Sequence, residues 1–245
     1  MPIKITYKKG TSDKLIKTFV LFAEEGFKAL ALNKTTLANK STFVNQIIKK
    51  NESKNKKFLL FNLNPNQKVV LVLINKKPSS LKNEKVGAEF YNFIKTNSLS
   101  NLTLVEKNIY EAKKKNKNIL EEFLHGMELK SYEFNKYKTK KKDLVININI
   151  SANKKISTLN KNNRYKAIIE GTNFARDLVS EPPNVLTPKE YVNRLLKLRK
   201  YGLKVTVYNE SKLKKLKMFS LLGVGQGSVN ETYLVTIEWY GNKKN

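Results

Sequence analysis

The stretch V-V-L-V-L-I, Val69–Ile74, decides the fold class of this 245-residue chain. It is the longest uninterrupted aliphatic run, and such a run is typical of a β-strand that is buried on both faces, as in a parallel sheet. It falls far short of the roughly 20 apolar residues that a membrane-spanning helix needs. We therefore predict an α/β protein that is not embedded in a membrane and, by default, a cytoplasmic location.

Strand and helix patterns alternate on both sides of this run. Two helices are predicted, at Thr42–Lys50 with Phe43, Ile47 and Ile48 on its apolar face, and at Glu84–Lys95 with Val86, Phe90 and Phe93. Such alternation favours a largely parallel or mixed sheet with helices packed on its faces. Further strands are predicted at the alternating N-terminus (residues 1–7), Phe19–Ala23, Phe58–Leu63 and Leu144–Ile150.

A polar stretch at Ser151–Asn163 interrupts this alternation and is typical of an interdomain connection. We place the boundary near residue 158, which gives an N-terminal domain of residues 1–158 and a second domain of residues 159–245. A helix is predicted over Arg164–Val179, with Ala167, Ile168, Phe174, Ala175 and Leu178 available for burial. The Glu181-Pro182-Pro183-Asn184 turn ends it, because proline cannot continue the helical hydrogen bonds.

The next helix has the clearest boundaries. Thr187 is a predicted N-cap, Pro188 occupies the first helical position, Glu190 completes a capping box, and Gly202 closes the helix. A strand at Leu203–Tyr208, a short helix at Ser211–Lys217 and a strand at Tyr233–Tyr240 follow. The second domain is thus also α/β.

The charge is strongly positive, with 48 basic and 20 acidic residues and a net charge of +28. Nucleic acid is one partner that such a charge suggests. Only four of the basic residues are arginine, however, and the charge is spread along the whole chain, which fits a compositional bias toward lysine and asparagine better than a binding footprint. The runs Lys113–Lys117 and Lys136–Lys142 are interpreted as solvated loops, although Tyr132, Phe134 and Tyr137 beside the second run would also suit a single-strand binder or one face of a strand.

The composition excludes several kinds of catalytic site. There is no cysteine, His125 is the only histidine, and aspartate occurs only at positions 13, 143 and 177, so cysteine nucleophiles and paired-imidazole metal sites are ruled out. We interpret His125 as a structural residue near a glycine cap, and Glu121 and Glu122 as a solvated helix face. The glycines of G-V-G-Q-G, Gly223–Gly227, lack the spacing of a dinucleotide-binding loop and predict a tight turn.

Three long motifs carry a resemblance to a known family. They are N-F-A-R-D-L-V-S-E-P-P-N-V-L-T-P-K-E-Y (Asn173–Tyr191), L-K-M-F-S-L-L-G-V-G-Q-G-S (Leu216–Ser228) and F-L-H-G-M-E-L-K-S-Y-E-F-N-K-Y-K-T-K-K (Phe123–Lys141). The first two, in this order and at this separation, resemble the cytosol (leucyl) aminopeptidases, peptidase family M17, and the third extends the resemblance upstream. The resemblance spans essentially the whole chain and is strongest from Lys136 onward.

The resemblance implies a macro-domain-like three-layer α/β/α domain followed by the beginning of a zinc-peptidase-like α/β/α catalytic domain. It also implies a hexameric enzyme that uses two divalent metal ions, manganese or zinc, to remove N-terminal residues from peptide substrates. Some relatives bind DNA through the N-terminal domain, so a basic DNA-binding module is the alternative function.

The chain departs from the family pattern at one decisive place. The family's F-D-T/S-G-G and N-T-D-A-E-G-R segments, which carry metal ligands and catalytic residues, do not occur in it. We therefore assign no catalytic, cofactor-binding or metal-binding residue, and we expect a fragment that binds no metal and is inactive by itself.

Overall fold

The computed structural model describes residues 3–8, 16–35, 37–51, 56–75, 79–139, 145–151 and 163–241. The chain divides into two compact units, unit 1 (Met1–Asn173) and unit 2 (Phe174–Asn245). The boundary predicted near residue 158 lies outside the described residues. Among the described helices, none is long and apolar enough to cross a membrane.

Unit 1 is built on a six-stranded sheet in the order β1-β6-β5-β2-β4-β3. Its neighbouring strands are parallel except for β3 and β4, which form an antiparallel pair. This sheet confirms the predicted α/β class and the five predicted strands, and it adds the short β5. The strands are β1 (Ile3–Lys8), β2 (Thr18–Ala23), β3 (Phe58–Asn64), β4 (Gln67–Leu73), β5 (Asn101–Leu104) and β6 (Ile146–Ser151).

Helices cover both faces of this sheet. The described ones are α1 (Ser41–Lys50), α2 (Ser80–Thr96), α3 (Glu106–Lys115), α4 (Ile119–Lys130) and α5 (Asn163–Ser180), with 3-10 turns at Glu25–Phe27, Leu32–Lys34 and Ala38–Lys40. Helix α5 contributes its first residues to unit 1 and its remainder to unit 2.

Two hydrophobic cores lie on opposite faces of the sheet, because successive side chains of a strand point to opposite sides. Val70 and Val72 of β4 join a core with Phe90 of α2 and Phe123 of α4. Val69 and Leu71 join a second core, which includes Val44 of α1 and Phe27. The prediction that the V-V-L-V-L-I run is buried on both faces is thus confirmed from Val69 to Val72, each of which is fully buried.

The predicted apolar face of α1 is wrong by one position. Phe43 is 43% exposed, whereas Val44 and Ile48 are buried. These two residues are four apart and lie on the same side of the helix, so Val44 takes the place that we gave to Phe43. The same shift occurs in α5, where Ile168 is exposed and Ile169 is buried.

Helices α2 and α4 cross at two glycines. A Cβ atom on Gly87 would collide with the backbone carbonyl of Phe123, and one on Gly126 would collide with the backbone of Glu84. Gly126 lies inside α4, so the predicted cap at this glycine is wrong. The two glycines instead allow the helix backbones to approach closely.

Unit 2 contains a two-stranded antiparallel sheet, β7 (Lys204–Tyr208) and β8 (Leu234–Glu238), in which Val205 pairs with Ile237. The predicted N-cap is confirmed, since Thr187 Oγ1 accepts a hydrogen bond from the Glu190 amide at the start of α6. Gly202, with φ of 81°, closes the following 3-10 turn (Lys197–Tyr201). The remaining helices of unit 2 are α6 (Pro188–Leu196), α7 (Glu210–Lys215) and α8 (Phe219–Gly225).

Candidate functional site

Among the described residues of unit 1, the most deeply buried carboxylate belongs to Glu122 on α4. Its two oxygens accept hydrogen bonds from Ser80 Oγ at 2.6 Å and Asn83 Nδ2 at 2.7 Å, and the residue is 2% exposed. The prediction that it lies on a solvated face is wrong. The sequence did contain a signal, because Leu120 and Phe123 flank the glutamate pair and α4 is rich in apolar residues.

Glu121, the preceding residue, is also largely buried. Its Oε1 lies 2.6 Å from Nζ of Lys113, with side-chain exposures of 10% and 18% respectively, while Oε2 is buried without a hydrogen-bond partner in the described part of the chain. The interpretation of Lys113–Lys117 as a solvated loop or turn is therefore wrong as to the loop for Lys113, Lys114 and Lys115, which lie in α3, and wrong as to solvation for Lys113 alone among the lysines of the run. Lys113 lies in the last turn of α3 and neutralises a carboxylate on α4.

His125 lies one helical turn after Glu121. Its Nδ1 is 3.0 Å from Oε1 of Glu84 on α2, and its ring centroid is 4.8 Å from that of Tyr165 on α5. The residue is 4% exposed, and Nε2 finds no partner among the described residues. These contacts join α2, α4 and α5, as expected of the structural residue that we predicted.

Tyr7 on β1 faces two carboxylates of α4. Burial raises the pKa of the Tyr7 hydroxyl to about 12, and the negative charges of Glu121 and Glu128 act in the same direction. Burial also raises the pKa of the Glu128 carboxyl. These groups pack the polar side of α4 against the sheet.

The second lysine run is described only as far as Thr139. Phe134 and Tyr137 form a ring pair with centroids 5.8 Å apart, and Lys136 lies over the Tyr137 ring. Residues 132–139 are not in a strand, so the interpretation of these aromatics as one face of a strand is wrong.

In unit 2, one arginine holds the start of α6 against the preceding turn. Arg194 donates from Nη1 to Glu181 Oε1 at 2.9 Å and from Nε to Glu190 Oε1 at 3.0 Å. The side chain of Glu181 is 2% exposed, so the cation that faces it is required to stabilise its charge. The side chain of Glu190 therefore contacts Arg194, while its backbone amide donates to the Thr187 cap.

An apolar groove of about 570 Å³ lies beside this network. Side chains of α6 form one wall and side chains of β8 form the other, and no carboxylate or imidazole lines it. Its lining residues are Leu186, Pro188, Tyr191, Val192, Leu195, Tyr233, Val235 and Ile237. Such a groove can pack against apolar side chains, and its only titratable lining groups are the tyrosine hydroxyls of Tyr191 and Tyr233.

The glycine-rich segment is not the tight turn that we predicted. Gly223 and Gly225 lie in the last turn of α8, and only Gln226 and Gly227 belong to the turn that follows. A Cβ atom on Gly225 would collide with the Thr232 hydroxyl, so this glycine provides room for the segment that leads into β8.

The acidic side chains and the histidine are not arranged as a metal centre. Among the residues that the structure describes, no three His, Asp or Glu side chains are grouped so that they could hold a metal ion. The described part of the chain therefore does not fit a two-metal centre, and the absence of assigned site residues stays a prediction.

Comparison with known proteins identifies the relatives of unit 2. Residues 173–245 match the model of the cytosol aminopeptidase family, catalytic domain. Unit 2 is similar to the cytosol aminopeptidases. A probable cytosol aminopeptidase of Rhodopseudomonas palustris is 40% identical over 123 residues, which are 49% of this chain and 25% of that protein. The corresponding protein of Brucella ovis is 42% identical over 124 residues, which are 48% and 25%.

Solved structures share the fold. A mutant of tomato leucine aminopeptidase superposes with a TM-score of 0.70 and 18% identity, covering 96% of this chain and 50% of that one. The bottromycin maturation enzyme BotP in complex with Mn superposes with a TM-score of 0.61 and 16% identity, covering 90% and 44%. The resemblance to family M17 is confirmed, and the chain aligns with about a quarter of the length of its curated aminopeptidase relatives.

Proposed function

We propose that this chain is part of a metal-dependent leucyl aminopeptidase, which releases N-terminal amino acids from peptides in the cytoplasm as a homohexamer. One observation carries the proposal: residues 173–245 match the catalytic domain of the cytosol aminopeptidases. The names of the relatives refer to aminopeptidase activity, so the DNA-binding alternative receives no support from them.

In this proposal, unit 2 is the entry to the catalytic domain and serves as a scaffold. Arg194 fixes the turn before α6, and α6 with β8 presents the apolar groove to the rest of the domain. The relatives are about four times as long as their aligned part, and that additional length is the occupant that we propose for the groove. Packing of this kind would remove the exposed Ile237 and Tyr191 side chains from water.

The metal ions, manganese or zinc, would be held by that additional length, because the described residues do not fit them. When bound, two such ions polarise the scissile carbonyl and activate a water molecule. The bottromycin enzyme with bound Mn supports manganese as the first metal to test. The 245-residue chain alone is proposed to be inactive.

The test is an assay of leucine p-nitroanilide hydrolysis in the presence of Mn²⁺, of Zn²⁺ and of a chelator. The 245-residue chain and the longest product of its reading frame are compared at equal concentration. We expect metal-dependent release of p-nitroaniline from a product that contains the full relative length, and none from the 245-residue chain. Turnover by the 245-residue chain would contradict its proposed inactivity, and a metal-loaded full-length product without turnover would contradict the proposed activity.

A further inference from the structure

A cleft of about 450 Å³ in unit 1 lies outside the carboxyl ends of β2 and β4. These strands are parallel neighbours. Strand β2 leads to the side of the sheet that carries α1, and β4 leads to α2 on the other side. In open α/β sheets, ligands bind in the crevice where neighbouring strands diverge in this way, and the volume lies in the range of small-molecule sites.

One wall of the cleft is a segment that folds back over the end of β2. Asn108, which is fully buried, accepts from the Phe22 amide at 2.7 Å and donates to the carbonyls of Phe22 and Leu30 at 2.9 and 2.8 Å. Phe27 and Ala31 adopt left-handed conformations with φ of 57° and 51°, which non-glycine residues adopt rarely. The buried amide and the core contacts of Phe27 therefore hold this wall in a single shape.

The polar side chains around the cleft carry both signs of charge. Glu24 lies on the folded-back segment and forms an ion pair with Lys115, which ends α3. The other polar side chains of the lining are a second carboxylate, a second ammonium group and two amides, which belong to Glu25, Lys28, Asn75 and Asn116. The Glu24–Lys115 pair is half exposed, so little stability is lost when other charges replace it.

The floor of the cleft is aliphatic. Ile119, at the start of α4, is 2% exposed and belongs to the first core, and Ile74 packs partly against that core. An aliphatic group that contacts these two side chains would be removed from water. The cleft thus combines an apolar floor with a half-exposed pair of a carboxylate and an ammonium group, whose two members a ligand with both charges would bind in place of each other.

We propose that this cleft binds a free α-amino acid with an aliphatic side chain, in its zwitterionic form. The ligand's ammonium group pairs with Glu24, its carboxylate pairs with Lys115 and Lys28, and its side chain lies on Ile74 and Ile119. The inference stands on the geometry of unit 1 and does not depend on the proposed peptidase activity. A product-sensing role for the cleft is a separate step that rests on the proposed function, because free amino acids are the products of that activity.

Titration of the ¹⁵N-labelled 245-residue chain, followed by amide chemical shifts, tests the proposal with three probes. Leucine has both charges, N-acetyl-leucine lacks the ammonium group, and leucinamide lacks the carboxylate. We expect leucine to shift the amides around Glu24, Asn75 and Lys115 saturably and to bind at least about 10-fold more tightly than either analogue. Equal binding of the analogues, or no shift with leucine at its solubility limit, would overturn the proposal. A response to inorganic phosphate as large as that to leucine would also overturn it.

Matched variants locate the site. Glu24→Gln and Lys115→Gln should each weaken leucine binding by about 10-fold or more, because each removes one charged partner. Lys114→Gln is the control, since Lys114 is the neighbouring lysine of the same helix and contacts Glu111 and the Tyr110 ring. All three side chains are about half exposed, so the amide spectra should show a folded protein throughout. If Lys115→Gln bound leucine as tightly as the wild type does, the ligand would lie elsewhere and the assignment would be overturned, whatever the peptidase assay shows.

Discussion

A single buried carboxylate joins two helices of unit 1. Glu122 of α4 accepts hydrogen bonds from Ser80 and Asn83 of α2 and is removed from water. Both donors would lose this partner if the carboxylate were deleted. Sequence reasoning could not find this role from the E-E pair itself, because two adjacent glutamates are usually solvated, and only the apolar residues that flank the pair indicate that Glu122 is buried.

We expect Glu122→Ala to lower the free energy of unfolding by about 2 kcal/mol, because it leaves the buried amide of Asn83 without its hydrogen-bond partner. Urea denaturation followed by circular dichroism measures the change. Glu89→Ala is the matched control on the partner helix, since it removes an exposed ion pair with Lys57 and should cost less than about 1 kcal/mol. Equal losses in the two variants would contradict the role given to Glu122.

We expect the hydroxyl of Tyr7 to make the fold less stable as the pH becomes alkaline. Its pKa is raised from 10.0 to about 12, chiefly by burial, so the native state holds the proton more tightly than the unfolded chain. The stabilisation is complete below pH 10 and is lost as the pH rises toward 12. In Tyr7→Phe, the urea midpoint should fall less between about pH 8 and about pH 11.5 than in the wild type. An identical fall in both proteins would show that Tyr7 does not contribute.

At the scale of elements, the strands were predictable and the helix crossing was not. The strands of unit 1 carry their burial in their own sequence, as in Val69–Val72. The approach of α2 to α4 depends on Gly87 and Gly126, which are 39 positions apart, and no local pattern links them. The shift from Phe43 to Val44 in α1 has a similar cause, because the side that is buried depends on where the neighbouring sheet lies.

Substitution by alanine should change the stability in opposite directions at two glycines, one at the helix crossing and one in α5. Gly126→Ala should lower the free energy of unfolding by about 3 kcal/mol or more, because the added methyl group meets backbone that cannot move without separating the helices. Gly171→Ala in α5 is the control: nothing lies within 4 Å of the position that its added methyl group would take, and alanine favours helix by about 1 kcal/mol. Thermal unfolding should therefore shift down for the first variant and up for the second. A stabilised Gly126→Ala would contradict the close contact.

At the scale of the whole molecule, the two units differ in how well they bury their apolar side chains. Unit 1 has a core on each face of its sheet. Unit 2 has two strands in its described part and leaves several large apolar side chains exposed, among them Phe219, Trp239 and Ile237. The family motifs are the sequence signal for a functional role of unit 2. No local pattern predicts its apolar groove, because the groove combines α6 with β8, and the two meet only after the intervening residues have folded.

The exposed groove of unit 2 predicts that the 245-residue chain binds a hydrophobic dye in its native state. Contiguous apolar surface of this kind is uncommon on stable monomers. We expect anilinonaphthalene sulfonate fluorescence to rise on addition of the native chain, and Ile237→Asp to reduce that rise roughly two-fold, because it places a charge in the groove. Phe43→Asp is the control, since Phe43 is exposed to a similar degree on α1 of unit 1. An equal effect of both substitutions, with unchanged urea midpoints, would show that the dye does not bind in the groove of unit 2.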